Sequence, residues 1–424
     1  MAPVPIIAIP IISPLYRFLM GLSIFFVFLP DTAGATGTKR LLTKPTARVT
    51  HKSDFGMLLP FRRSSWSDCC CEIRGIHMTD EQWKALLEVI KGERVEPLPI
   101  GFIIDCPWLP GWCGMAIADY LSSETMWFEA NRRAGETFPE FMFIPGFWSE
   151  FGMCTEPSAF GSRCVFPRDA FPNAEKILTN EKQIPAIREP DPASDGLLPL
   201  VLNRLRWARP RIEDLGHKIR FSVSRGPLNI ATFLMGMTEF LIALKTKREA
   251  VHRLLRVITD FLKKWHQLQR ETFPTIDGIL ILDDVVGFMG EADFMEFCFP
   301  YLKELYAPEA AVKFFHNDAP CAVSIRHYAD IGINVYNPGI QKTIVELKQL
   351  CDNKLTLFAG IPPRDVLAAG SPAEVYSAVR NLLAETTDQS RLILSCGGGM
   401  PPGVTTENLR AFLDAARGSH LHAP

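Results

Sequence analysis

His316, Asp318 and Cys396 are the residues whose types and spacing could hold a metal ion. A histidine and an aspartate at i and i+2 leaving a strand end can turn toward one point. A thiolate from another strand end would complete a three-ligand zinc site with its fourth position open to substrate. Zinc in such a site binds and deprotonates a thiol, or polarises another ligand, at neutral pH. The plainer alternative is a histidine satisfied by its neighbouring aspartate, with Cys396 a small buried hydrophobe beside the Gly397-Gly398-Gly399 turn. Cys321 is a further candidate thiolate in the loop after His316. Asp283-Asp284 closes the apolar run 278–282 and could hold an amine or pyrrole N–H or act as a base. One of the pair could instead cap the following helix. Glu156 sits in a Trp-, Phe-, Gly- and Pro-rich segment without periodicity, which could line a pocket or pack as a lid.

These groups need strands whose ends converge. From residue 78 onward short apolar runs alternate with longer helical patterns, as expected of strands buried on both faces with helices outside. Eight runs are predicted, at 98–105, 140–145, 218–224, 278–283, 312–316, 332–336, 355–359 and 391–395. Helices are predicted at 116–134, 238–272, 293–306, 340–351, 372–385 and 406–416. Eight strands with interposed helices predict a single-domain (β/α)8 TIM barrel, whose chemistry belongs where the strands end. Those ends carry Asp105, Trp148, Arg225, Asp283-Asp284, His316-Asn317-Asp318, Asn337, Gly360 and Cys396. Turn and cap preferences account for about half of them but poorly for His316 and Cys396. His252 and His266, on the long helical stretch between charged neighbours, are expected to be solvated.

Composition narrows the function classes. The 424 residues are 47% hydrophobic and 22% charged, which excludes a mainly disordered, collagen-like or coiled-coil chain. A formal charge of −2 gives no global field toward nucleic acid or an anionic membrane. Eleven cysteines are too sparse for a disulfide scaffold. No Gly-x-Ser-x-Gly elbow or Cys-x-x-Cys pair supports a serine hydrolase or a dithiol redox enzyme.

Residues 1–77 are a different kind of sequence. An uncharged apolar run at 18–29 is too short to span a bilayer but suits the core of a secretory signal, with Ala33-Gly34-Ala35 offering a cleavage site. Residues 36–77 carry eight Lys or Arg against three acids and no periodicity, so a disordered leader is expected. Either this is a genuine export or anchor segment, or translation starts at Met78. The second reading is preferred, with a cytoplasmic enzyme of 78–424, because Thr79-Asp80-Glu81-Gln82 is a capping box opening an amphipathic helix.

From about Met78 to Arg417 the chain resembles the uroporphyrinogen decarboxylase superfamily, which includes both that decarboxylase and corrinoid-linked, zinc-dependent methyltransferases. The resemblance is carried by Arg225-Gly226-Pro227-Leu228-Asn229-Ile230-Ala231, by Asp283-Asp284 running on to Phe299-Pro300-Tyr301, and by the His316 loop. Phe358-Ala359-Gly360-Ile361-Pro362-Pro363 and Cys396-Gly397-Gly398-Gly399-Met400-Pro401-Pro402-Gly403 complete it. The methyltransferase branch holds zinc with a His-x-Cys pair and a later Cys. His316 and Cys396 fall on two of those positions, and Asp318 stands where the middle cysteine is expected, which implies a more Lewis-acidic metal. The decarboxylase binds eight carboxylates through an arginine-rich motif near its first strand. No Lys or Arg occurs here between Arg94 and Arg132, and the corresponding loop holds Asp105, Trp108 and Trp112. Desolvating carboxylates without cationic partners costs several kcal/mol each.

The expectation is therefore a zinc-dependent methyltransferase between a corrinoid, such as methylcobalamin or a separate corrinoid protein, and a small acceptor. His316, Asp318 and Cys396 would hold the metal, and Asp283 or Asp284, the candidate catalytic carboxylates, would orient substrate. Asp105, Trp108, Trp112, Trp148, Glu156, Asn317 and Asn337 would contact substrate. The alternatives are a metal-free uroporphyrinogen-type decarboxylase and a non-catalytic barrel that binds a small ligand. A homodimer is implied by the resemblance.

Overall fold

A computed structural model describes residues 78–104 and 108–419. The expectations for the 1–77 leader and for Asp105 lie outside the described residues. All eight expected strands are present, with ends shifted by up to three residues: β1 Ile100–Ile103, β2 Phe141–Ile144, β3 Phe221–Arg225, β4 Gly278–Leu282, β5 Val312–Asn317, β6 Val335–Pro338, β7 Thr356–Ile361 and β8 Leu392–Cys396. Every pairing among them is parallel, in the order β2-β1-β8-β7-β6-β5-β4-β3. The sheet curls into a TIM-like barrel, as the alternating pattern predicts. Its two ends, β2 and β3, are joined by no ladder among the described residues. Gln269 serves the open β3 edge: its Oε1 accepts from Val223 N at 2.9 Å and its Nε2 donates to Val223 O at 3.1 Å.

Five helices matter below: α1 Asp80–Lys91, α2 Pro227–Met235, α3 Arg248–Thr272, α4 Pro372–Glu385 and α5 Thr406–Arg417. The capping box that marks α1 is formed, with Gln82 N donating to Thr79 Oγ1 at 3.1 Å and Thr79 N donating to Gln82 Oε1 at 3.0 Å. Through Trp83, Leu86 and Val89, α1 packs against Ile103, Met142, Phe221, Leu280, Val312, Phe314, Val335, Phe358 and Ile393, which face inward. Each large side chain buried there stabilises by about 1.5–3 kcal/mol. The alternate strand residues, among them Phe102, Phe141, Ile281, Phe315, Tyr336, Leu357, Leu392, Leu394 and Cys396, face the helices instead.

Some expected helices divide where local chemistry interrupts them. The 116–134 stretch breaks at Ser123, whose side chain accepts from Met126 N to start a second helix, Glu124–Thr137. The 238–272 stretch breaks at Lys247 into Met237–Thr246 and α3. A helix at Leu198–Asp214 escapes the sequence reading because Pro210 stands inside it. His266 on α3 corrects the expectation of a solvated side chain. It is buried, with Nε2 2.9 Å from Ser224 Oγ and Nδ1 2.9 Å from Ser222 Oγ, clasping the helix to the outer face of β3. His252 is partly exposed and lies 2.7 Å from Tyr301 Oη and 3.2 Å from Glu296 Oε1. Among the described residues no single helix is long and apolar enough to cross a membrane.

Candidate metal centre

In a strand successive side chains point to opposite faces, and this alternation decides which strand-end residues can meet. His316 shares the inner face of β5 with Val312 and Phe314. Its Nδ1 lies 2.6 Å from Asn337 Oδ1, and Asn337 Nδ2 donates to Phe358 O at 2.7 Å. Because the amide NH2 faces a carbonyl, the amide oxygen must face the ring, so His316 Nδ1 carries the proton. The lone pair then sits on Nε2, which lies 3.6 Å from Asp284 Oδ1.

Asp284 follows β4 and its Oδ1 also accepts from Asp318 N at 3.1 Å. Asp318 lies under the glycine turn after β8, where a Cβ placed on Gly398 would sit 3.1 Å from its Oδ2. Burial, and then the charge of Asp284, push the Asp318 carboxyl up to about 6, against the opposing pull of His316 and Arg364. One donor atom each from Asp284, His316 and Asp318 lies within 4.8 Å of the others. Tetrahedral zinc has bonds of about 2.0–2.2 Å to nitrogen and oxygen, so its ligands stand about 3.5 Å apart. The cluster fits after a contraction of about 1 Å. A lone pair facing two carboxylates is mutually repulsive until a cation or proton enters.

The structure brings His316 and Asp318 together, but Asp284 and not Cys396 stands beside them. Cys396 continues the outward row Leu392, Leu394. Its Sγ rests 3.8 Å from Gly398 O, and burial pushes the thiol up to about 12. By the same alternation Ser395 takes the inner position. Cys321 is buried near Tyr336 and is likewise absent from the cluster.

Asp283 and Asp284 divide the same way. Asp283 is fully buried, and its two oxygens accept from Leu228 N at 2.9 Å and Asn229 N at 3.0 Å in the first turn of α2. Burial raises its carboxyl well above the ordinary range even though these amides oppose the shift. Gly226 permits the approach, since a Cβ there would meet Asp283 Oδ2 at 2.2 Å. Asp283 is therefore engaged as a cap, and of the pair only Asp284 reaches the cluster.

The expected substrate contacts disperse. Trp108 donates to Val404 O and Trp112 to Thr406 Oγ1, each at 3.0 Å, and the two rings stack 5.3 Å apart. They anchor the segment leading into α5. Asn317 faces outward, donating to Tyr328 Oη at 3.2 Å and accepting from Ala319 N at 2.9 Å. Trp148 and Glu156 line a cavity between β2 and β3. There Glu156 Oε1 accepts from Arg225 N at 3.1 Å, and Arg225 forms an ion pair with Glu150 at 2.9 Å. Glu150 was not anticipated. It stands in the aperiodic segment beside Trp148, and its acidity in that apolar context was the available signal.

A family model described as uroporphyrinogen decarboxylase (URO-D) matches residues 146–419. A uroporphyrinogen decarboxylase of Hahella chejuensis is 24% identical over 285 residues, 64% of this chain and 76% of that protein. A methylated-thiol–coenzyme M methyltransferase of Methanosarcina mazei is 21% identical over 222 residues, 52% of this chain and 59% of that one. The solved structure of a methyltransferase from Methanosarcina mazei superposes with a TM-score of 0.67 at 17% identity, covering 81% of this chain and 99% of the other. At that identity the likeness speaks to the fold.

Proposed function

The chain belongs to the uroporphyrinogen decarboxylase family, and within it we propose a metal-dependent methyltransferase that acts on a small thiol acceptor. The single observation that carries this reading is the convergence of Asp284, His316 and Asp318 at the ends of β4 and β5. An imidazole and two carboxylates suit zinc, as in catalytic sites that keep one position open for substrate. Zinc held there would lower the pKa of a bound thiol so that a thiolate is present at neutral pH. Asn337 fixes the His316 ring so that Nε2 faces the cluster, and Gly398 leaves room for Asp318 beneath the turn. Asp284 accepts the Asp318 N–H, which holds both carboxylates in one geometry. The methyl donor we assign is a methylated corrinoid carried by a separate protein.

A second reading, decarboxylation of a tetrapyrrole acid, has the names of relatives such as that of Hahella chejuensis in its favour. The β2–β3 seam counts against it. Arg225, which faces the interior at the end of β3, is 7% exposed and already paired with Glu150. It offers little to a substrate bearing many carboxylates.

The test is metal analysis joined to turnover. Protein purified without chelator should hold about one equivalent of zinc and move a methyl group from methylcobalamin to a thiol. Asp284→Ala and His316→Ala should lose both properties. Conversion of uroporphyrinogen by the chelated protein, with no thiol methylation by the zinc form, would overturn the proposal.

A further inference from the structure

The aperiodic segment that follows β2 folds back on itself and brings two cysteines together. Cys164–Val165 pairs antiparallel with Asn173–Ala174. Met153 N donates to Pro172 O at 3.2 Å, so this hairpin lies against the chain that carries Cys154. The Phe151 and Phe166 rings meet edge to face with centroids 6.5 Å apart. Gly152, at φ +59°, keeps the two layers close, since a Cβ there would lie 3.0 Å from Pro172 Cδ. Cys164 Sγ lies 3.9 Å from Cys154 O, and the two thiols are direct side-chain neighbours, each altering the acidity of the other. Both are free; Cys154 is buried and Cys164 half-buried.

Two thiols held side by side by packing need little further ordering to bond, because the second step of thiol–disulfide exchange is then intramolecular. We propose that Cys154 and Cys164 are a redox-active dithiol, closed to a disulfide by a small-molecule disulfide of the glutathione type. Cys164, the more accessible of the two, attacks as thiolate, forming a mixed disulfide and releasing one molecule of the small thiol. Cys154 then gives up its proton, bonds to the Cys164 sulfur and displaces the second. The protein dithiol is oxidised and the small disulfide is reduced to two thiols. Burial raises both thiols, while contact with Cys154 works the other way for Cys164, so exchange is slow at neutral pH and speeds up as pH rises. The bond closes a loop around the short helix Thr155–Ala159, where Glu156 Oε1 accepts from Arg225 N at 3.1 Å at the end of β3. Oxidation therefore fastens that helix to the hairpin and stabilises the fold by restricting the unfolded chain. The pair uses none of Asp284, His316 or Asp318, so it goes beyond the methyl-transfer reading and can be measured with metal chelated.

The experiment incubates the full native chain, in chelator, with oxidised glutathione, then blocks remaining thiols in acid and maps tryptic peptides by mass. Trypsin cuts after Arg163, between the two cysteines, and the peptides 134–163 and 164–168 carry one cysteine each. The expected product is these two peptides joined, lighter by two hydrogens than their sum, in most chains. Its formation should quicken with pH, and Tm should rise by a few degrees and return when dithiothreitol reopens the bond. Cys154→Ser should stop at a glutathione adduct on Cys164, whereas Cys164→Ser should leave Cys154 as a thiol. The wild-type map stands without the variants should either fail to fold. Both peptides recovered as blocked thiols, a lasting glutathione adduct on wild-type Cys164, or either cysteine joined mainly to another partner would overturn the proposal.

Discussion

Replacing Asn337 by Leu removes an acceptor from His316 Nδ1 and a donor from Phe358 O, at 2.6 and 2.7 Å, without a large change in volume. Both partners are buried, so each group left unsatisfied costs about 1–3 kcal/mol and the fold should lose about 2–5 kcal/mol. The effect on metal binding is separable. With its orienting partner gone the imidazole can rotate or carry its proton on Nε2, and losses of this kind lower metal affinity about 10–100-fold. That is about 1.4–2.7 kcal/mol at the metal. Zinc affinity would be measured by competition with a chromophoric chelator, at a denaturant concentration where the variant is fully folded, alongside urea midpoints. A variant that is destabilised as expected yet binds zinc within about twofold of wild type would refute the assignment of His316 Nε2 as the ligand atom.

Cys396→Ser should leave zinc stoichiometry unchanged, because the thiol faces the helices, whereas Asp284→Ala should abolish it; metal analysis of the two purified variants decides. Gly226→Ala should destabilise by more than about 2 kcal/mol, since its Cβ would overlap the Asp283 carboxylate at 2.2 Å, and a urea midpoint near wild type would contradict that. His266 is held down to about 3 by burial, below its unfolded value of about 6.5, so only the unfolded chain gains this proton as pH falls through 6.5. Its contribution is complete above pH 6.5 and is lost below it at about 1.4 kcal/mol per unit, or about 2–3 kcal/mol by pH 4.5. The stability difference between wild type and His266→Gln should shift by that amount between pH 7 and pH 4.5, and a constant difference would count against a neutral buried ring.

The barrel was legible in the sequence because strands buried on both faces read as continuous apolar runs. All eight were found there, and the capping box at Thr79 marked α1 to the residue. That same continuity hides which face a residue takes. Within the apolar stretch Leu392-Ile393-Leu394 nothing marks which residues face inward, so the parity of Cys396 was not fixed and a cysteine on the helix side was assigned to the metal. The Asp283-Asp284 pair shows the complementary gain, because adjacent residues cannot share a face and only one could have reached the cluster. Asn337 was picked out as polar at a strand end. Its role depends on the register of β5, β6 and β7, which brings His316 opposite Asn337, and no local pattern carries that information. The seam carboxylates were half seen: Glu156 was noted, while Glu150 and its pairing with Arg225, 75 residues away, are contacts of the folded state alone.

X-ray absorption at the zinc edge of the loaded protein tests the central claim most directly. A first shell of nitrogen and oxygen at about 2.0–2.2 Å, with the outer-shell signature of one imidazole and no sulfur, is the expected result for Asp284, His316 and Asp318. A sulfur scatterer at about 2.3 Å that disappears in Cys396→Ser would contradict it.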